Sequence, residues 1–557
     1  MVPALSLIAG IAVSCALCAF LVAPPPLPRG AGAEPYIGLS DPRNSRTAAF
    51  LSEARPHPAE SAAGGQMREA VLADLRDSGY ADAAIEVKAH FQANESIRGK
   101  SWGTRAARVA NIELRLRGSA RKSGTLVVIC HYDSIAGGPG AGDGGFGVLA
   151  CLGALKAMRG QTAFERDLLF IFADGEEDGL VGSSAAVAKD KAADGALFVV
   201  NMEGLERGLV LPMEMSRPNA LALDAFGSAF PRAYVSGLLL DIFAILPNFA
   251  TDLNEFEEAG ARGLTLAPVQ DFLNYHQAGD RLETLDDRSL AQASRGLVSM
   301  LRYLDSRATP DGGKGERAVQ SLLPGLTISY PAALTPWIAA FLWAVYLALF
   351  VLAALRGRDR VLPSLASAAL AALILALSLG IGFLVNGALG NPSSPMAFLS
   401  ASARVKARIS SLADLSLALA YAAPFLASLA GCLALRKVKA LRGGGPGALA
   451  LLLGISTALS AFLYRSAPSL FIPAAAALCA FGISALAKPT IAIRSICAFL
   501  LGSSIALTAA PLGILLGRPI VAFNMGFVPG FFASILVLLA FPFIGQVRME
   551  AEGPGKA

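Results

Sequence analysis

Four carboxylates crowd the six residues Asp174-Gly175-Glu176-Glu177-Asp178-Gly179, which follow an apolar run, Leu168-Leu169-Phe170-Ile171-Phe172. Like charges this close repel, so the cluster is unfavourable unless a cation compensates it. The chain has four histidines, and two of them, in His131-Tyr132-Asp133 and Tyr275-His276, flank the acidic run. Imidazoles on either side of such a run point to a metal site. Glu176 and Glu177 are adjacent, so one can ligate metal while the other takes a proton from metal-bound water. Zinc lowers the pKa of bound water to about 7, which makes a nearby carboxylate an adequate base.

Other residues extend the set. His131 follows the apolar run 126–129 almost directly. Asp133, two positions on, can accept a hydrogen bond from the imidazole, which sets the tautomer and leaves the other nitrogen for metal. Asp143 lies in Pro139-Gly140-Ala141-Gly142-Asp143-Gly144-Gly145. A carboxylate there can bridge two metals, although taken alone it also reads as a helix N-cap. Glu203 closes the run 197–200, with a salt bridge as the alternative, and His276 has Asp280 nearby as an orienting partner. The acidic run by itself also fits a solvated turn. Together these residues fall mostly at successive strand ends, where open α/β sheets place their sites. Asp143, Glu177 and Glu203 with one hydroxide balance two divalent zinc ions.

The elements that must hold these residues are legible as hydrophobic periodicity. Residues 112–116 alternate like a half-buried strand, and 126–129, 168–172, 197–200 and 263–266 read as further strands. A loop opens into a helix over 143–158, and 285–304 has helical spacing. Strands alternating with helices predict an α/β domain, a sheet covered on both faces, over 35–310. Cys130 and Cys151 read as buried thiols, with a disulfide or redox role as the alternative.

Beyond this domain the composition changes. The chain of 557 residues is 54% hydrophobic and 16% charged, against roughly 25% charged in soluble domains, and its mean hydropathy is +0.54. The apolar excess lies in residues 5–22 and after about Ser329. The first run, within 1–28, reads as an N-terminal transmembrane anchor, with a cleaved signal as the alternative. Residues 311–330 read as a linker. Segments near 333–355, 362–388, 413–435, 446–464, 467–487, 492–516 and 519–545 each reach about 18 apolar residues, the length of a membrane helix, and predict a seven-helix transmembrane domain over 331–557. Arg356, Arg358 and Arg360, then Arg436, Lys437, Lys439 and Arg442, mark two cytoplasmic loops. The α/β domain then lies on the non-cytoplasmic face of the bilayer, with a bacterial periplasm favoured over an organelle lumen. Arg404, Lys406 and Arg408 run against this orientation. The net charge of +5, with no basic tract, gives no footprint for nucleic acid.

His131-Tyr132-Asp133-Ser134, Gly142-Asp143, Asp174 to Leu180 with Gly182-Ser183, Asn201-Met202-Glu203-Gly204 and Tyr275-His276 resemble the motifs of the di-zinc aminopeptidase family. The membrane-attached branch is the nearer match, that of the endoplasmic reticulum metallopeptidase and the vacuolar membrane protease. The resemblance covers roughly residues 100–285. It implies a zinc-peptidase sandwich, with a central mixed, mostly parallel sheet flanked by helices, beside a multi-helix transmembrane domain. It implies two Zn2+ ions, one on His131, Asp143 and Glu203 and the other on Asp143, Glu177 and His276. Glu176 would be the general base and acid, with Asp133 orienting His131. Asp252, in a Thr251-Asp252 segment followed by Phe256, and Tyr275 would lie at the substrate pocket. The implied activity is an exopeptidase, an aminopeptidase acting on peptides. There are departures: Glu203 stands where soluble members mostly carry Asp, Gly144 where Asp or Asn is common, and Gln277 where Thr is common.

Three rival readings differ in class. A scaffold on this fold is marked by lost ligands, and none is missing here. A glutaminyl-cyclase-like acyl transfer would cyclise N-terminal glutamine. A transporter would carry intramembrane charge, whereas the predicted spans hold almost none beyond Asp414 and Arg494.

Overall fold

Short runs of Val, Ile, Leu and Phe that are apolar throughout become strands buried on both faces. In a computed structural model of the chain, residues 2–21, 45–95, 104–119, 122–161, 163–245, 249–270, 274–307, 315–356, 445–486 and 490–522 are described, with isolated positions between 366 and 384. The first elements are α1 (Val2–Leu21), α2 (Arg46–Ser52), α3 (Ala62–Asp77), β1 (Ile85–Asn94), β2 (Arg105–Leu116), β3 (Thr125–His131), α4 (Gly145–Met158), β4 (Asp167–Ala173), α5 (Val181–Ala188), β5 (Ala196–Met202) and β6 (Arg207–Met215). They are followed by α6 (Ala220–Ala229), α7 (Gly237–Ile245), α8 (Leu253–Glu258), β7 (Gly263–Gln270), α9 (Asp287–Ser306), β8 (Arg317–Leu323), β9 (Leu326–Pro331) and α10 (Thr335–Leu355). The last three are α11 (Gly445–Phe462), α12 (Ala467–Leu486) and α13 (Ile491–Ala522).

The chain divides into two compact units. One comprises Ala23–Val235 and Ile242–Arg317, the other Met1–Val22, Ser236–Asp241 and Ala318–Ala557.

The first unit is built on a seven-stranded sheet of order β1-β2-β4-β3-β5-β7-β6. β4, β3, β5 and β7 are mutually parallel, while β1, β2 and β6 join antiparallel at the edges. Val127, Ile129, Leu169, Ile171 and Val199 pack in one cluster with Leu253 and Phe256 of α8. The alternate residues Leu126, Val128, Phe170 and Val200 are also buried, with α4 and α9 packed across β3. α4 is buried along its length except at Lys156, as a helix hydrophobic all round must be. α9 instead buries one stripe, Leu290, Leu297, Met300, Leu301 and Leu304 among it, and opens on Asp286, whose side chain accepts from the Arg288 amide. The four parallel strands end on one edge. His131 ends β3, Asp174 follows β4, Glu203 follows β5, and residues 274–280 follow β7.

This is the mixed, mostly parallel sheet expected, with β1 and β6 as further strands that periodicity did not mark. Cys130 and Cys151 are free and buried. The two thiols touch each other but are not bonded as a disulfide. The expected linker is corrected in part: 317–331 forms the β8–β9 hairpin, closed by Gly325 at φ 86 and by a 2.7 Å contact between the Ser321 and Thr327 hydroxyls.

In the second unit, two helices among the described residues are long and apolar enough to cross a membrane, Ala332–Leu355 and Tyr464–Ile483. The first has only 22% of its apolar window buried, unlike the core helix of a soluble domain. Ala339, Leu342 and Tyr346 face a cluster with Leu453, Phe471 and Leu478, while Trp337, Phe341, Leu347 and Val351 are exposed. The Trp343 indole donates to Thr457. α1 lies against α13 where Gly10 and Gly502 remove side chains, since a Cβ at either would stand 2.3–2.4 Å from the other helix's carbonyl oxygens. Small residues at such a contact let helices approach closely. The expected span 413–435, most of 362–388 and of 519–545, and the loop arginines other than Arg356 lie outside the described residues.

Candidate metal centre

His131 is the last residue of β3 and is fully buried. Its Nε2 lies 3.6 Å from Asp143 Oδ1 and 3.4 Å from Glu203 Oε2. His276 Nε2 lies 3.0 Å from Asp143 Oδ2 and 3.0 Å from Glu177 Oε2. The two groups therefore share Asp143, each through a different oxygen. In each group the candidate ligand atoms all lie within 4.8 Å of one another. Ligands about 2.0–2.1 Å from a tetrahedral zinc stand about 3.3 Å apart, so the observed separations fit. His131 Nε2 is buried with no hydrogen-bond partner among the described residues, which suits a nitrogen reserved for a cation.

Backbone hydrogen bonds hold these side chains. Asp133 Oδ1 lies 3.4 Å from His131 Nδ1 and accepts the Glu176 amide, while Oδ2 accepts the Glu177 amide. One carboxylate thus ties the histidine to the acidic loop. Asp174 accepts the Ala110 amide and donates its own to Asn111. The loop is anchored rather than solvated; within 174–178 only Asp178 is exposed. Asn201 donates to Glu203 Oε1 at 3.1 Å. Asp143 is not a helix cap, because α4 is capped by Gly144 at φ 87. A Cβ on Gly144 would stand 2.8 Å from His131 Cε1, so both the backbone angle and the space exclude the Asp or Asn common there. Gln277 folds back, its side-chain amide donating to the carbonyl of His276 at 2.7 Å.

Asp280 does not reach His276 as an orienting partner. Its two oxygens accept the amides of Gly142 and Asp143. The Tyr275 ring stacks on His276, centroids 3.9 Å apart. Asp252 has no exposed surface, so it meets the ligands through charge inside the core rather than presenting a surface to substrate. His57 and Glu206, neither expected, also touch the site's frame. The amide of buried His57 donates to Ser134 Oγ, and Glu206 accepts the Asn274 amide. Their neighbourhood in sequence carries no motif that would have marked them.

Electrostatics follow from crowding. Burial pushes Glu177 up to about 8, helped by the charge of Asp143. Burial also raises Glu176 well above the carboxylate range, with Glu177, Glu203 and Asp252 adding to it. For His276 burial opposes the charged form, but Glu177 and Asp143 outweigh it and raise the group to about 10. His131 is raised in the same way, chiefly by Glu203. Asp143 is driven well below its usual range, the two histidines overcoming burial. Metal ligands must shed these protons. Zinc uptake at pH 7 is therefore expected to release about three protons per chain, from His131, His276 and Glu177, and the apparent affinity to rise with pH until His276 deprotonates. Titration calorimetry in buffers of different ionisation enthalpy measures the release, and a pH-independent affinity would contradict it.

A parallel-centred α/β sheet carrying two acid–histidine groups on one strand-end edge defines an α/β domain with a candidate two-metal site. Residues 111–301 match the sequence model of Peptidase family M28. The vacuolar membrane protease of Candida dubliniensis is 27% identical over 222 residues, 40% of this chain and 24% of that protein. Endoplasmic reticulum metallopeptidase 1 of Rattus norvegicus is 23% identical over 233 residues, 40% and 26% respectively. The chain thus spans about a quarter of the length of these relatives. Among solved structures, the aminopeptidase from Aneurinibacillus sp. strain AM-1 is 15% identical, with a TM-score of 0.36, over 48% of this chain and 94% of that one.

Proposed function

We propose that this chain is a membrane-attached, di-zinc exopeptidase that removes N-terminal residues from peptides. The observation that carries the reading is the sharing of Asp143 between two acid–histidine groups beside Glu176. His131, Asp143 and Glu203 would hold one zinc, and Asp143, Glu177 and His276 the other. The chemistry supplied by bound zinc is polarisation of the scissile carbonyl and a lowered pKa for the attacking water. Glu176 takes the proton from that water and returns it to the leaving amine. Its raised pKa suits a group that must act as base and then as acid. Asp133 fixes the loop that carries Glu176 by accepting two of its amides. The carboxylates around Glu176 favour a cationic N-terminal amine over an uncharged peptide interior.

The same reading assigns 35–310 to the peptidase domain and the apolar helices to a bilayer. Arg356, Arg358 and Arg360, with Arg436, Lys437, Lys439 and Arg442, support the non-cytoplasmic face for the peptidase domain. The test is full-length protein in detergent, with zinc and a mixed peptide pool that includes N-terminal glutamine. Mass spectrometry is expected to find free N-terminal amino acids. Cyclised N-terminal glutamine with no amino-acid release would replace this reading with acyl transfer.

A further inference from the structure

The two groups of ligands are supported differently. His131 and Glu203 sit at the ends of β3 and β5, which are hydrogen-bonded neighbours in the sheet, so their spacing is set by the strand ladder. Asp143 and His276 lie on two loops, and no strand pairs Gly142–Asp143 with residues 274–280. What joins those loops is Asp280, four residues past His276. It is buried, at 2% exposure. One carboxylate oxygen accepts the Gly142 amide at 2.5 Å and the other the Asp143 amide at 3.0 Å. The Asp280 carbonyl accepts the preceding amide, that of Ala141, at 3.4 Å. Three consecutive amides of the Asp143 loop therefore end on one residue of the His276 loop.

That loop is itself braced. The Gln277 amide donates to the Asn274 carbonyl and the Asp280 amide to the Gln277 carbonyl. His276 is held at φ 56, a left-handed conformation unusual for its type. Glu206 closes the third side, accepting the Asn274 amide, and its own amide nitrogen lies within 3.1 Å of where a Gly142 Cβ would stand. Each amide that donates to this buried carboxyl loses its partner if the carboxyl is removed, which is costly away from water. Losing the clasp frees one ligand of the His131 group, Asp143, whose other two are set by the strand ladder, but two of the second group, Asp143 and His276.

We infer that Asp280 is a positioning residue that clasps the Asp143 loop to the His276 loop, and that it selectively governs the ion held by Asp143, Glu177 and His276. The inference rests on the two-ion reading of the site. Outer-shell partners of this kind typically change metal affinity by about 10–100-fold.

The experiment titrates zinc into the full-length protein in detergent and resolves two affinities. Asp280→Ala is expected to weaken one site by about 10–100-fold and to leave the other within about 3-fold. On a His276→Ala background, where only the His131 group remains, Asp280→Ala should add nothing, because residues that act as a unit are non-additive. For a chromogenic leucine anilide, kcat should fall with KM little changed, and Asp280→Asn, which keeps one acceptor, should fall between. Asp305→Asn is the control. Asp305 makes the same kind of clasp, on the Glu165 and Arg166 amides, outside the metal-ligand set, and should leave both zinc affinities as they were. Equal weakening of both sites in Asp280→Ala, or of neither, overturns the inference while leaving the metal reading intact. Wild-type protein that takes up no zinc overturns the metal reading itself, and the inference falls with it.

Discussion

Glu176→Gln is expected to abolish peptide hydrolysis while zinc uptake survives. Glu176 belongs to neither acid–histidine group, so the amide substitution removes no ligand. Its backbone amide still donates to Asp133 Oδ1 at 3.1 Å, so the loop keeps its place. What is lost is the only function an amide cannot supply, accepting a proton at one step and delivering it at the next. Positioned acid–base groups contribute about 10²–10⁴ in rate, and here the same carboxyl serves both halves of the reaction. The fall in kcat should therefore lie near the upper end of that range, with KM changed much less. Zinc content by atomic absorption and single-turnover rates on a peptide measure the two sides. A Gln variant that remains active shows that another group moves the proton. One that loses its zinc as well makes Glu176 a ligand.

Glu177→Gln is the contrast that makes this sharp. The two residues are adjacent, and both are pushed upward by burial, Glu176 further by Glu177 and Glu177 further by Asp143. Yet Glu177 lies 3.0 Å from His276 Nε2, inside the second group. In the proposed mechanism the two glutamates divide the labour between holding metal and moving protons.

The central strands were legible because they are continuous apolar runs, and burial on both faces demands that pattern. The edge strands were not. β1 reverses the usual sign of alternation, leaving Val87 at 45% and Phe91 at 63% exposure, while Lys88 and His90 turn inward to Glu113 and Asp190. β6 carries Pro212 in its middle, which periodicity reads as an interruption and which only an edge strand tolerates. Among the site residues, His131, Asp143, Glu177, Glu203 and His276 were marked by residue type at strand ends, and the structure brings all five together. Their supports were not marked. Asp280 was read as a partner of the imidazole because it is near His276 in sequence, yet it reaches across 137 positions to the Asp143 amide. Backbone amides as partners leave no trace in residue type. Glu206 escapes notice for the same reason, since it too accepts a backbone amide.

Asp143→Ala is expected to remove both zinc ions, where Glu203→Ala or His276→Ala removes one. Asp143 is the residue common to the two groups, with Oδ1 turned towards His131 and Oδ2 3.0 Å from His276 Nε2. Each remaining pair, His131 with Glu203 and Glu177 with His276, is left with two protein ligands, below the three that catalytic zinc sites retain. The negative charge that balances two dications also drops. Stoichiometry should fall from about two per chain to near zero, whereas the single-group variants keep about one. Stability supplies an independent readout. A ligand at about 1,000 times its dissociation constant stabilises the folded state by about 4 kcal/mol, so wild-type Tm should rise on adding zinc and drop on adding a chelator. In Asp143→Ala that zinc-dependent rise should vanish, even though the variant relieves local repulsion and need not melt below the chelated wild type. If Asp143→Ala instead keeps one tightly bound ion, the carboxylate is not shared. The two groups would then be independent sites, and the two-ion mechanism would lose the bridge on which it depends.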